Sequence, residues 1–265
     1  MNKMQLKEKK GEKDLPTSMS ETIIRVQNLN KTFYVREKSE LTLRDRVIGT
    51  LVGTRTPVKV VKALQNLNFS VQKGEFFGII GRNGSGKSTL LHLLIGAMRP
   101  DAGSIIDTKG SVLRLAQGMN FEPKLTARDN IYLSGSILGL TFKKIASIFD
   151  DIVHFAEIEN FVNVPVKTYS SGMLSKLKFA IAVHAEAEIL LMDEFLIGVG
   201  DLNFKNKSEQ VFKERLVNGR TIIIVSHELA TIAMHCDRVL LLDKGVPLAI
   251  GKPQAMIARY EQLMA

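Results

Sequence analysis

The sequence predicts an α/β fold: a largely parallel sheet between helices, with an antiparallel β-rich front and a helical subdomain. Three observations predict it. Phe76–Ile80 is a short apolar strand candidate that runs into GRNGSGKST, Gly81 to Thr89, and then into the helical pattern LLHLLIGAM. Ile189–Met192 and Thr221–Val225 are continuous apolar runs, as expected of strands buried on both faces of a parallel sheet. Ala127–Leu140, Lys143–Phe161 and Leu174–Ala187 carry helical spacing and fall together within about 117–187.

The front is assigned from the remaining β signals. Thr22–Val26 is β-rich and Lys62–Val71 alternates. Between them, Leu41, Leu43, Val47, Ile48, Leu51 and Val52 fall on one face of a short helix with Arg44, Asp45 and Arg46 opposite, so an amphipathic insertion is expected over about 36–59.

Composition bounds the class. A chain of 265 residues with 45% hydrophobic content can bury a sizeable core but scarcely two full domains, so one domain over 22–265 is expected. It has no apolar run of about 18 residues, and no membrane span is expected. The N-terminus lacks the apolar core of a signal peptide, and Cys236, the single cysteine, cannot form an internal disulfide; both point to a reducing cytoplasm. The net charge of +9 suits nucleic acid, an anionic membrane surface or acidic substrates, but part of it lies in MNKMQLKEKKGEK, five Lys against two Glu. Residues 1–21 read as a disordered basic tail, either a solubilising end or a weak attraction for lipid headgroups.

The chemistry begins at Gly81–Thr89, which satisfies G-x-x-x-x-G-K-[ST] between a strand and a helix. Glycines at Gly81, Gly84 and Gly86 let the backbone of Arg82, Asn83 and Ser85 curl so that N–H groups point inward, and the helix adds its positive dipole end. Lys87 supplies a point charge to β- and γ-phosphates, Ser88 a hydroxyl for Mg²⁺, and Thr89 continues the helix start. The pattern resembles the phosphate loop of P-loop NTPases, and a core of that kind is expected. ILLMDE then delivers Asp193 to the carboxyl end of a buried strand, where it holds Mg²⁺ through water, with Glu194 placed to polarise the attacking water.

TYSSGMLSKLKFA, Thr168 to Ala180, joins a small-residue turn to a helix shortly before the acidic pair. It resembles the signature motif of ABC ATPases, with Ser170 and Gly172 in the matching places, Ser171 where Gly is usual and Met173 where Gln is usual. The resemblance implies that Ser170 and Gly172 serve the γ-phosphate of ATP held by a second subunit. It extends to AQGMNFEPKLTARDNI, where Gln117 matches the residue that senses metal and γ-phosphate, to IIIVSHEL, where His227 contacts the γ-phosphate, and to NKTFYV, where Phe33, or Tyr34 beside it, stacks on adenine. Glu194 to Asp201 is one residue longer than the family's usual spacing, which puts in doubt the cross-dimer contact of Asp201.

FEPKLTARDNIYLSGSILGL, FDDIVHFAEIENFVNVPVKTYSSGM and VGDLNFKNK resemble the ATPases that export O-antigen, capsule or teichoic acid. That resemblance implies a homodimer around ATP and Mg²⁺, docked on an integral membrane permease at the cytoplasmic face of the bacterial cytoplasmic membrane. It also implies polysaccharide contacted by the permease and no nucleic acid. ABC ATPases for another exported substrate, or soluble ones working on nucleic acid, stay as alternatives.

Overall fold

The computed structural model describes residues 21–36, 58–116, 121–193, 202–212, 214 and 219–264. Most of the expected tail, the body of the expected insertion, Gln117, Glu194 and Asp201 lie outside the described residues.

Strands β1 (Thr22–Arg36), β2 (Val58–Gln72), β3 (Phe76–Ile80) and β4 (Ile105–Thr108) open the chain, and β1 pairs antiparallel with both β2 and β4. The first two are longer than the sequence patterns suggested. Arg36 pairs with Val58 and Val35 with Lys59, so the two ends of the expected insertion are strand. Phe33, Tyr34, Val35, Val58, Val60 and Val61 are the β-branched and aromatic residues that favour this.

The second sheet has the order β5 (Val112–Ala116), β6 (Ile189–Asp193), β7 (Thr221–Val225), β3, β8 (Arg238–Asp243), β9 (Val246–Gly251). All pairings are parallel except β8 with β9, which Lys244 and Gly245 join at φ 44° and 80°. Two successive positive φ values match the twist of a tight hairpin. The continuous apolar runs are explained by burial on both faces. Phe76, Ile80, Leu190, Met192, Ile222, Ile224, Val239 and Leu241 enter one hydrophobic core. Their neighbours Phe77, Ile79, Leu191, Ile223, Val225, Leu240 and Leu242 enter another. The two-residue period of a strand makes that division.

One core packs under α1 (Lys87–Leu94) and the antiparallel sheet, the other under α2 (Ala127–Ile137), α3 (Phe142–Ala156) and α4 (Ser171–Ala182). Thr126 caps α2 with a reciprocal box: its hydroxyl accepts from Asp129 N–H, and its own N–H donates to Asp129 Oδ2 at 3.1 Å. The helix expected over Lys143–Phe161 instead ends at Ala156, because Glu157 turns left-handed at φ 58°, and Glu159–Phe161 form a separate 3₁₀ turn. The helix expected to reach Ala187 stops at Ala182, and the one expected to reach Leu140 stops at Ile137, before Gly139 at φ 83°. Helices α5 (Leu202–Val211), α6 (Leu229–His235) and α7 (Pro253–Met264) complete the layers. No helix among the described residues is long and apolar enough to cross a membrane.

Cys236 follows α6, where a Cβ added at Gly78 would stand 2.9 Å from its sulfur. Burial, with a smaller contribution from Asp237, pushes its thiol up to about 12. The thiolate is the reactive species, so native protein at pH 8 should label with a disulfide reagent only as fast as it unfolds. One equivalent should appear at once in guanidinium, and rapid stoichiometric labelling of native protein would contradict this.

Candidate active site

The loop after β3 is shaped by space as much as by backbone torsion. Gly84 and Gly86 take φ 76° and 104°, as expected of the curled loop. A Cβ at Gly86 would also meet Ala63 O at 2.6 Å and Leu64 Cδ2 at 2.8 Å. Gly81 is different: its backbone is near extended, but a Cβ there would lie 2.0 Å from Leu242 O. The turn between β8 and β9 braces the loop, Gly245 N–H donating to Ser85 O at 2.9 Å.

Lys87, the first residue of α1, is 7% exposed, and its ammonium donates to Gly81 O at 2.7 Å and Arg82 O at 2.9 Å. Gly81 and Arg82 thus present carbonyls to Lys87. Ser85 Oγ is buried with no hydrogen-bond partner among the described residues, a donor and acceptor available to a ligand held by the loop.

A cavity of about 530 Å³ opens over this loop. Asn83, Gly84, Ser85, Gly86, Lys87, Ser88 and Thr89 form its floor. Asp193 from the end of β6, and Val225 and His227 from the exit of β7, form one side. The antiparallel front supplies Phe33, Val61, Lys62 and Ala63, and Lys244 comes from the β8–β9 turn. Carboxyl ends of neighbouring parallel strands converge here, the usual place for a ligand in an open α/β sheet. Phe33 and Val61 are cross-strand partners, and Lys31 Nζ lies 5.4 Å from the Phe33 ring centre. Tyr34, the alternative aromatic, is 72% exposed and outside the wall.

The helix α4 begins at the expected turn, but its residues do not line this cavity. Ser170 is its N-cap, the hydroxyl accepting from Met173 N–H at 3.1 Å, and a Cβ on Gly172 would find only Ser170 Oγ, at 3.8 Å. Within one chain this is a helix cap with an open approach.

Sequence reasoning missed the groups around Asp193. Arg114 on β5 donates through Nη2 to Asp193 Oδ2, and through Nη1 to His92 Nε2 on α1 at 2.7 Å. A guanidinium cannot accept, so Nε2 is the acceptor in that contact. The one available signal was a basic residue in the apolar run VLRLA. Lys62 and Lys244 were missed as well, and they add positive charge where phosphates would enter. The Ser88 hydroxyl and Asp193 carboxylate, which line the same cavity, are hard oxygen donors, a set that fits Mg²⁺ completed by phosphate oxygens and water.

The ABC transporter family model matches residues 64–196. The O-antigen export system ATP-binding protein RfbB of Klebsiella pneumoniae is 40% identical over 204 residues, 77% of this chain and 82% of the relative. The teichoic acids export ATP-binding protein TagH of Lactococcus lactis is 42% identical over 202 residues, 76% of this chain but 43% of the relative, so the chain spans less than half of that protein. A solved dimeric ATP-binding cassette in a post-hydrolysis state with ADP and Pi superposes with a TM-score of 0.65 at 22% identity, over 87% of this chain and 98% of that one, a likeness in fold. On these matches and on the convergence of loop, acidic strand end and histidine at one cavity, the chain belongs to the ABC transporter family, as an ATP-binding subunit.

Proposed function

We propose that the chain energises export of a lipid-linked polysaccharide, of O-antigen, capsule or teichoic-acid type, by hydrolysing ATP with Mg²⁺ in sites shared between two copies of itself. The observation that carries the reading is the single cavity bounded by Lys87, Ser88, Asp193, His227 and Phe33. In it the loop amides and Lys87 hold the phosphates, Phe33 stacks on the base, and Ser88 and Asp193 would hold the metal; the family resemblance adds Gln117 to that set. A divalent ion held there would supply charge neutralisation to the bound phosphates. Glu194 polarises water, and His227 steadies the γ-phosphate. Ser170 and Gly172, outside the cavity of their own chain, face the nucleotide of the second copy. The helical subdomain over 117–187 works within the single ATPase domain over 22–265, which docks peripherally on a permease at the cytoplasmic face of the bacterial membrane. The names of the relatives support the choice of cargo.

Two measurements test this. Deleting the gene in its host should remove surface polysaccharide and leave lipid-linked glycan inside, wild-type but not Glu194→Gln protein restoring it; normal surface glycan in the deletion would overturn the cargo. Cysteines placed at Asn83 and Ser171, both exposed, should form an ATP-dependent disulfide between chains, with Cys236 too buried to interfere. A bond found only within single chains would overturn the shared site.

A further inference from the structure

We infer that Arg114 is a positioning residue that competes with the divalent cation for Asp193, so that metal loads only together with nucleotide phosphate. The inference rests on the reading of Asp193 as the metal-holding carboxylate. That carboxylate already carries a cation: Arg114 Nη2 pairs with Oδ2, while Nη1 is tethered to His92 Nε2 at 2.7 Å on the helix that begins with Lys87. The pair is substantially shielded, Arg114 at 24% and Asp193 at 19% side-chain exposure, and Arg114 Nε is buried without a hydrogen-bond partner. A guanidinium in that setting is held in place by three elements, β5, β6 and α1, and cannot relax freely into water.

The electrostatic consequence has a definite sign. A divalent ion bound to Asp193 stands within a few ångströms of a fixed positive charge, and in a half-shielded site such a like charge weakens its binding. Without phosphates, Arg114 neutralises Asp193, the one acidic group on the cavity wall among the described residues, and bare metal gains little there. Triphosphate brings its own negative charge and tips the balance, so metal enters as the nucleotide complex. The same argument explains why an arginine on β5 is compatible with a functional site: it delays the metal without occupying Ser88 or the loop.

The test is Mn²⁺ binding followed by electron paramagnetic resonance, with and without a non-hydrolysable ATP analogue, on the intact chain. Arg114→Met should tighten Mn²⁺ in the presence of the analogue by roughly tenfold, the effect of one nearby charge. It should also make Mn²⁺ binding detectable without nucleotide. Arg114→Lys, which keeps the charge, should stay near wild type. If Arg114→Met is insoluble, Arg114→Gln, polar but uncharged and shorter, gives the same comparison. A merely structural role would leave Mn²⁺ affinity unchanged or weaken it, and either result for the uncharged variant overturns the inference. Asp193→Asn separates the two failures. If it does not weaken Mn²⁺ binding, the assignment of the metal carboxylate itself fails; if it does, and Arg114→Met brings no tightening, only the competition fails.

Discussion

Glu194→Gln should retain ATP binding while steady-state hydrolysis falls by about a hundredfold or more, the usual contribution of a general base. Gln has nearly the shape of Glu but cannot polarise water as an anion. The loop from Gly81 to Gly86 is braced by Gly245 and by the Lys87 ammonium, and the substitution changes neither, so the phosphate cradle should keep its shape. With chemistry blocked and binding intact, the variant should accumulate as an ATP-bound dimer, read as a shift in size-exclusion elution that appears with ATP and not with ADP. Phosphate release close to the wild-type rate would remove Glu194 from the role assigned to it.

Lys87→Ala should act on binding as well as rate. A hydrogen bond to a charged partner contributes about 1.5–3 kcal/mol, so affinity for a fluorescent ATP analogue should drop by roughly ten- to a hundredfold. The substitution also withdraws the donor from Gly81 O and Arg82 O, two carbonyls that the ammonium holds at 2.7 and 2.9 Å. Some loss of loop order therefore accompanies the lost contact to phosphate. Thermal unfolding measured without nucleotide separates the two, because only the loop term lowers the melting temperature there. Unchanged affinity would move the nucleotide away from this loop.

The parts of the fold legible in the sequence are those whose signal is local. Ile189–Met192 and, after Thr221, Ile222–Val225 read as buried strands because both faces of each are covered, leaving no polar position in either run. Gly81–Thr89 read as a phosphate loop because its glycines, lysine and hydroxyls must follow one another in sequence. Helix ends were less legible. The apolar spacing of Phe142–Ala156 continues past Glu157, and only the left-handed backbone there, with the 3₁₀ turn after it, stops the helix. The long pairing of Tyr34 and Val35 with Val60 and Lys59 was hidden because the two strands are separated by the segment between them. In the site, Asp193 was placed correctly at the end of its strand, but its pairing with Arg114 joins residues 79 positions apart. No spacing rule reaches that far. The place of Ser170 is a third kind of limit: in one chain it is a helix cap, and the further role proposed for it involves a second chain.

The division of the parallel sheet between two cores has a consequence for how this protein opens. Leu190 and Leu191, adjacent in the chain, pack into different halves of the molecule, so a lesion in either layer should lower the protection of the β6 amides together, with the strand still exchanging last. Because the central strands have no face in water, neither the helical layer nor the antiparallel front can detach as an independent foldon without stripping its side of the sheet bare. Local opening is thereby confined to the rim, and any excursion that reaches the centre becomes global unfolding.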